Sequence, residues 1–156
     1  MKWNNEDYIK WIYEGCPINL DVLELDISDK NITSLERINN LTNLQELNCS
    51  NNRIKSLEGI NHLTNLRKLF CSNNQIKSLE GINHLTNLKM LYCCSNQIKS
   101  LEPINNLFLV TFYCSNNQIT SLEPINKMRF LQDLNCSRNQ VTSLEGINNC
   151  KFLQRL

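Results

Sequence analysis

A 22-residue unit repeats along most of this chain, and no other feature restricts the possible fold as strongly. The copies that begin at residue 44 (LQELNCSNNRIKSLEGINHLTN) and residue 66 (LRKLFCSNNQIKSLEGINHLTN) differ at few positions. Further copies begin at Leu88, Leu109 and Leu131, a more divergent one begins at Val22, and the Leu88 copy is one residue shorter. A period of this length is typical of a solenoid, in which each unit buries its apolar side against its neighbours.

Each unit has a short alternating segment followed by regularly spaced apolar positions. Around Leu47, buried and exposed side chains are expected to alternate, which predicts a strand with one face toward the core. The later apolar residues recur every three positions, as tight 3₁₀-like or irregular turns require. In the second unit these residues are Ile54, Leu57, Ile60 and Leu63.

The shared pattern, L-x-x-L-x-C-x-x-N-x-I-x-S-L-x-x-I-N-x-L, resembles that of the leucine-rich repeat family. The match is to its short 22-residue class, with Cys in place of one inward Leu, over about residues 22–156. The resemblance implies an α/β fold: a right-handed, horseshoe-shaped solenoid with parallel strands on the concave face and turns or 3₁₀ segments on the convex face. We expect one domain, with a helical cap over residues 1–21, six repeats over 22–152 and the start of a truncated seventh repeat over 153–156.

The first residues predict the helix that covers the end of the repeat stack. Asn4 or Asn5 can cap this helix, and Gly15 with Pro17 ends it. The expected apolar cover is Tyr8, Ile9, Trp11, Ile12 and Tyr13.

The repeat explains why the chain contains 26 asparagines. One asparagine follows each strand, where a buried turn leaves backbone groups that need partners, so we expect a ladder of amides between turns. Lys30 takes this place in the first unit, which predicts a looser first turn. A second asparagine column is expected to cap the outer turns. The ladder column is Asn52, Asn74, Asn96, Asn117 and Asn139, and the second column is Asn39, Asn61, Asn83, Asn105, Asn126 and Asn148.

Eight cysteines could indicate disulfides in a secreted chain or a metal site in an intracellular one. Five of them occupy an inward strand position, so we interpret them as free thiols that fill the core. They are Cys49, Cys71, Cys93, Cys114 and Cys136. The first residues lack the apolar segment of a signal peptide. Together these observations predict a reducing, cytoplasmic location.

Charge and motif content argue against several classes of function. Sixteen basic and fifteen acidic residues give a net charge of +1, which disfavours the broad basic surface that nucleic acids and acidic membranes attract. No phosphate-binding loop or catalytic motif is present, and His62 with His84 supplies too few ligands for zinc. We therefore expect no enzyme activity, no cofactor or metal, and no nucleic-acid or membrane partner.

The repeats differ most at the positions that face outward from the strands. The central outward position is aromatic in three consecutive units, with acidic residues at both ends that are expected to form a polar rim. An exposed aromatic cluster favours binding of an unidentified partner protein. The alternatives are that the rings only stabilise the sheet, or that they bind a glycan or other small ligand. The predicted partner-binding residues are Asn48, Lys68, Phe70, Met90, Tyr92, Cys94, Tyr113 and Asn135.

The last residues contain no evident cap. We expect Phe152, Leu153 and Leu156 to self-associate, giving a homodimer through the C-terminal end, unless the end units fray or a longer array was cut here. A self-assembling scaffold is accordingly a further alternative for the function.

Overall fold

The computed structural model describes residues 1–156 and contains one parallel sheet of seven strands in chain order. Lys68 pairs with Met90, 22 residues later, and Met90 pairs with Thr111, 21 residues later. The shortened repeat is therefore absorbed outside the sheet, and the strand register is continuous. This architecture confirms the predicted parallel solenoid. Its strands are β1 (Lys2–Trp3), β2 (Glu24–Asp26), β3 (Glu46–Asn48), β4 (Lys68–Phe70), β5 (Met90–Tyr92), β6 (Thr111–Tyr113) and β7 (Asp133–Asn135).

Short 3₁₀ segments form the outer side, as the three-residue spacing predicts. Five repeats have one, and the third repeat has a plain turn around Glu80 and Gly81. The segments are Glu36–Asn40, Glu58–Ile60, Glu102–Ile104, Glu123–Lys127 and Glu145–Ile147.

A serine column caps these outer turns. The Ser56 hydroxyl accepts a hydrogen bond from the backbone N–H of Glu58 at 3.2 Å, and the same bond forms in all six repeats. The asparagines expected to cap the turns do not do so with their side chains. At the other end of the turn it is the Asn61 backbone N–H that donates, to the Glu58 carbonyl. Serine takes this role because its hydroxyl, two residues before the turn, reaches the first free N–H of the turn.

Forty buried residues form a single apolar cluster that runs the length of the solenoid. Four core cysteines have no exposed surface and the fifth is half-buried: Cys49, Cys71, Cys93, Cys114 and Cys136. Burial raises the pKa of the Cys49 thiol from its ordinary 9.0 to about 12. These thiols therefore stay neutral near pH 7 and pack as small apolar groups, in the position that Ile27 fills in the first repeat. The reducing, cytoplasmic location stays a prediction.

The asparagine ladder joins each turn to its neighbour through the backbone. Asn74 Nδ2 donates to the carbonyl oxygens of Cys49 (3.0 Å) and Cys71 (3.1 Å), in two successive repeats. Its Oδ1 accepts from the Ile54 N–H of the preceding repeat at 2.9 Å. Asn52, Asn96, Asn117 and Asn139 form the equivalent bonds. Each rung therefore links an amide to main chain, and not one amide to the next.

The first turn differs from the others in its backbone conformation, and its being looser stays a prediction. Asp29 and Asn31 both have positive φ, whereas each later turn has one such residue. Asn52 Oδ1 accepts from the backbone N–H groups of both Lys30 (3.0 Å) and Ile32 (2.9 Å). The ladder of the second repeat thus holds the first turn, which has Lys30 in place of a ladder asparagine.

The N-terminal cap combines a strand with the expected helix. Helix α1 (Asn5–Tyr13) begins after Asn4, whose Oδ1 accepts from the Glu6 N–H at 2.7 Å. Trp3 and Trp11 pack with ring centroids 5.9 Å apart over the first repeat. The sequence analysis did not predict β1. One expectation was wrong in part: of the proposed apolar cover, Ile9 and Tyr13 face solvent, exposed by 44% and 86%.

Removing one ladder side chain should destabilise the protein. Asn74→Ala leaves the buried Ile54 N–H without a partner and removes one of the two amide hydrogen bonds that the Cys49 and Cys71 carbonyls each accept, so the free energy of unfolding should fall by roughly 1–3 kcal/mol. Asn61→Ala is the matched control, because the Asn61 side chain forms no hydrogen bond; that variant should stay within about 0.5 kcal/mol of the parent. Urea unfolding measures both, and equal effects would contradict the proposed role of the ladder.

Three glycine variants separate close packing from backbone strain. At Gly59, an added Cβ would meet the backbone of Leu35. At Gly15, a Cβ would meet no atom, but φ is +86°. Gly81 combines both problems, because φ is +94° and a Cβ would meet the backbone of Leu57. Gly81→Ala should therefore cost the most, roughly 2–4 kcal/mol of unfolding free energy, and Gly15→Ala about 1 kcal/mol. Chemical denaturation of the three variants gives the order, and a Gly81→Ala loss no larger than that of Gly15→Ala would show that the outer turns are loosely packed.

The buried thiols predict a loss of stability in alkali. Burial holds the pKa values of Cys71, Cys93 and Cys114 well above 9.0, like that of Cys49, so the folded chain keeps protons that the unfolded chain releases. The free energy of unfolding should then fall above about pH 9, by up to ~1.4 kcal/mol per pH unit for each thiol. Melting temperatures between about pH 8 and 10 test this. A variant with valine at all four positions should have a flatter profile, and parallel profiles would refute the assignment.

Candidate functional site

The outward face of the sheet carries three aromatic rings in contact, which we call the aromatic strip: Phe70 on β4, Tyr92 on β5 and Tyr113 on β6. The parallel register places Phe70 opposite Tyr92 and Tyr92 opposite Tyr113. Phe70 and Tyr92 stack with centroids 4.9 Å apart, and Tyr92 meets Tyr113 edge to face at the same distance. All three are half-buried, so each ring keeps part of its surface toward solvent.

The residues of the column beside the aromatic strip differ in exposure and in pairing. This column contains Lys68, Met90 and Thr111. Met90 is half-buried and Thr111 is buried, so the thioether lies at the surface and the threonine does not. The Lys68 ammonium donates to Glu46 at 2.9 Å, and this bond raises the Lys68 pKa. Lys68 is therefore paired with a carboxylate, while Met90 remains available to a ligand.

All three ion pairs of the protein lie on this face. Lys2 pairs with Glu24 at 3.4 Å and Lys68 with Glu46 at 2.9 Å, on the N-terminal side of the aromatic strip. On the other side, Arg155 Nε lies 2.6 Å from Asp133 Oδ1. The expected acidic rim is thus largely neutralised by cations. The register could have revealed this, since each pair joins residues of one column in adjacent strands.

Asn48 and Asn135 flank the aromatic strip and hold the strand ends. Asn48 Oδ1 accepts from the Ser50 N–H at 3.2 Å, and Asn135 Oδ1 accepts from the Ser137 N–H at 3.1 Å. Their amide oxygens are therefore engaged within the chain.

Asp26 makes the same turn in the first repeat. Burial alone would raise the pKa of its carboxyl, but hydrogen bonds from the Ser28 N–H and hydroxyl and from the Asn48 side chain outweigh burial and lower it.

Cys94 is half-buried beside the aromatic strip, and its backbone N–H donates to the Ser72 hydroxyl at 3.1 Å. Burial, with the neighbouring Tyr113 and Asp133, raises the pKa of Tyr92. The site therefore presents aromatic, thioether, thiol and phenol groups. These groups suit the binding of apolar and hydrogen-bonding surfaces.

The residues predicted to self-associate do not share one surface. Phe152 stacks on Phe130, with centroids 6.5 Å apart. Leu153 is partly buried against the core, and Leu156, exposed by 65%, lies near Tyr113 at the end of the concave face. Self-association through these residues stays a prediction.

The comparisons with known proteins agree with this architecture. A family model described as "Leucine Rich repeats (2 copies)" matches residues 21–62, 64–106 and 108–149, most of the chain. The chain therefore belongs to the leucine-rich repeat family. No curated protein matches it. No helix of the structure is both long and apolar enough to cross a bilayer.

Solved structures similar to this chain include two internalins of Listeria monocytogenes. Internalin C2 is 25% identical with a TM-score of 0.86 over 88% of this chain, and the internalin inlF is 29% identical with a TM-score of 0.77 over 86%. A leucine-rich-repeat protein of Leptospira interrogans is 25% identical with a TM-score of 0.65 over 87%. The matches cover 62%, 39% and 42% of those longer chains, respectively.

Proposed function

We propose that this chain is a protein-interaction module that holds a segment of a partner protein on its concave face, with the aromatic strip at the centre of the contact. Leucine-rich-repeat proteins are generally interaction modules and are typically not enzymes. The observation that supports the proposed face is the contact of three half-exposed rings in consecutive repeats. The repeats on either side carry polar residues at the same position: Asp26, Asn48 and Asn135.

The chemistry of this face defines the partner it would fit. Aromatic residues are enriched at the energetic centres of protein interfaces, because they offer a large contact area with little loss of side-chain freedom. The ion pairs Lys68–Glu46 and Arg155–Asp133 flank the aromatic strip and leave no strong net charge there. We expect a partner segment with apolar or aromatic side chains over the strip and hydrogen-bonding groups at its edges.

Two other roles for the rings make different predictions. Cross-strand aromatic pairs can stabilise a sheet by roughly 0.2–1 kcal/mol each, so a purely structural role predicts lost stability without lost binding. A glycan or other small ligand could stack on the same rings, which predicts that Tyr92 is needed for glycan binding and that no protein is captured. The experiment must therefore report stability and binding together.

Replacing Tyr92 and Tyr113 by asparagine should strongly weaken partner binding and keep the fold. Asparagine is the residue that this chain uses at Asn48 and Asn135, where Oδ1 accepts from an N–H two residues later. The loss of ring contacts should lower the free energy of unfolding by only about 1–2 kcal/mol. Affinity capture from lysate with quantitative mass spectrometry should show that the variant captures about tenfold less partner than the parent protein does.

The matched control changes Lys55 and Lys77, which are exposed outside the sheet, to serine. That variant should capture the partner as well as the parent does. Undiminished capture by the Tyr92→Asn, Tyr113→Asn variant would refute the proposed face. Binding on a glycan array that requires Tyr92, without a captured protein, would favour the small-ligand alternative.

A further inference from the structure

A second group of exposed aromatic rings lies on the loops that lead into the last strands. Phe108, Phe130 and Phe152, which we call the phenylalanine row, are exposed by 47%, 58% and 58%. The planes of Phe130 and Phe152 are inclined by 15°, so these two rings stack on each other. None of the three belongs to the buried core.

The phenylalanine row occupies a position that forms hydrogen bonds in the earlier repeats. There, Asn65 Nδ2 donates to the Thr42 carbonyl at 3.1 Å, and Asn87 Nδ2 donates to the Thr64 carbonyl at 2.9 Å. Phenylalanine cannot form this bond, and it places apolar surface in water instead of in the core. Stability of the solenoid therefore does not explain the change from asparagine to phenylalanine.

Cations appear together with these rings. Where the second and third repeats have Thr-Asn, the fifth has Arg129-Phe130 and the sixth has Lys151-Phe152, and Lys127 lies nearby. Together with the three rings and two asparagines, these cations line one groove that contains no carboxylate. None of them belongs to the three ion pairs of the protein. The groove thus concentrates three uncompensated positive charges in a chain whose net charge is only +1.

We propose that this groove binds a peptide segment of a partner protein in which carboxylates flank an apolar or aromatic side chain. The rings offer contact area to the apolar anchor, and the Arg129 guanidinium and the Lys127 and Lys151 ammonium groups can donate charge-assisted hydrogen bonds to the carboxylates. Single-stranded nucleic acid is also anionic and aromatic. However, Phe130 and Phe152 already pack against each other, which leaves less ring surface for bases.

This groove shares no residue with the aromatic strip. Binding at the two surfaces can therefore be lost separately, and the failure of one proposal is distinguishable from the failure of the other.

Two reversion variants test the groove with little risk to the fold. Arg129→Thr with Phe130→Asn, and Lys151→Thr with Phe152→Asn, restore the pair that the chain itself uses at 64–65 and 86–87. Their melting temperatures should equal or exceed that of the parent. A phage library of short random peptides, selected on the parent protein, should be enriched in Asp and Glu around Phe, Trp or Leu. Fluorescence anisotropy with the most enriched peptide should show about tenfold weaker binding to either variant.

Added salt should also weaken binding of this peptide to the parent protein, because the attraction is partly between charges at the surface. The Tyr92→Asn, Tyr113→Asn variant is the control and should bind the same peptide with unchanged affinity. Selection of neutral or basic peptides, selection of none, or equal binding by the reversion variants would overturn the proposal. Tighter binding of a labelled oligothymidylate would also overturn it, because the occupant of the groove would then be nucleic acid. So would a dimer in sedimentation velocity that either reversion variant dissociates, because the occupant would then be a second copy of this chain.

Discussion

The hydrogen bonds between the ladder asparagines and the backbone are the interaction on which the rest of the structure depends. A strand of three residues pairs with its neighbours through few backbone bonds, and the buried turn after it leaves further donors and acceptors to satisfy. Asn74 satisfies two carbonyls and one N–H across adjacent repeats with a single side chain. Once these turns are fixed, the apolar columns stack in register and the outward positions of the strands become free to vary.

Much of this architecture could be predicted because every repeat restates the same physical requirement. The spacing of Leu47 and Cys49 gives the strand, and the three-residue spacing from Ile54 onward gives the outer turn. Features outside the repeat were less accessible. Strand β1 has only two residues, and its pairing with β2 depends on the tertiary packing of the cap and not on a local pattern. Each S-L-E segment does carry a signal for the serine caps, because a serine two residues before a turn can accept from the first free N–H of that turn.

The surfaces were predicted less completely than the core, because they depend on contacts between repeats. The aromatic strip was found, since Phe70, Tyr92 and Tyr113 interrupt a polar column. The pairing of the acidic rim residues with cations was not predicted, although aligning the repeats places Glu46 next to Lys68. The stacking of Phe130 on Phe152 likewise depends on loop geometry that the sequence does not specify. A sequence shows which residues occupy a column. Which of their neighbours they contact depends on side-chain conformation.

The ladder also has a consequence for how such a chain can change over generations. Because each rung connects only adjacent repeats, an unequal exchange that adds or removes one whole 22-residue unit would re-form every rung and every core contact. The sheet would lengthen or shorten by one strand spacing, about 4.8 Å. An inherited change in the number of repeats would therefore alter the length of a binding surface in fixed steps while leaving the chemistry of each repeat unchanged.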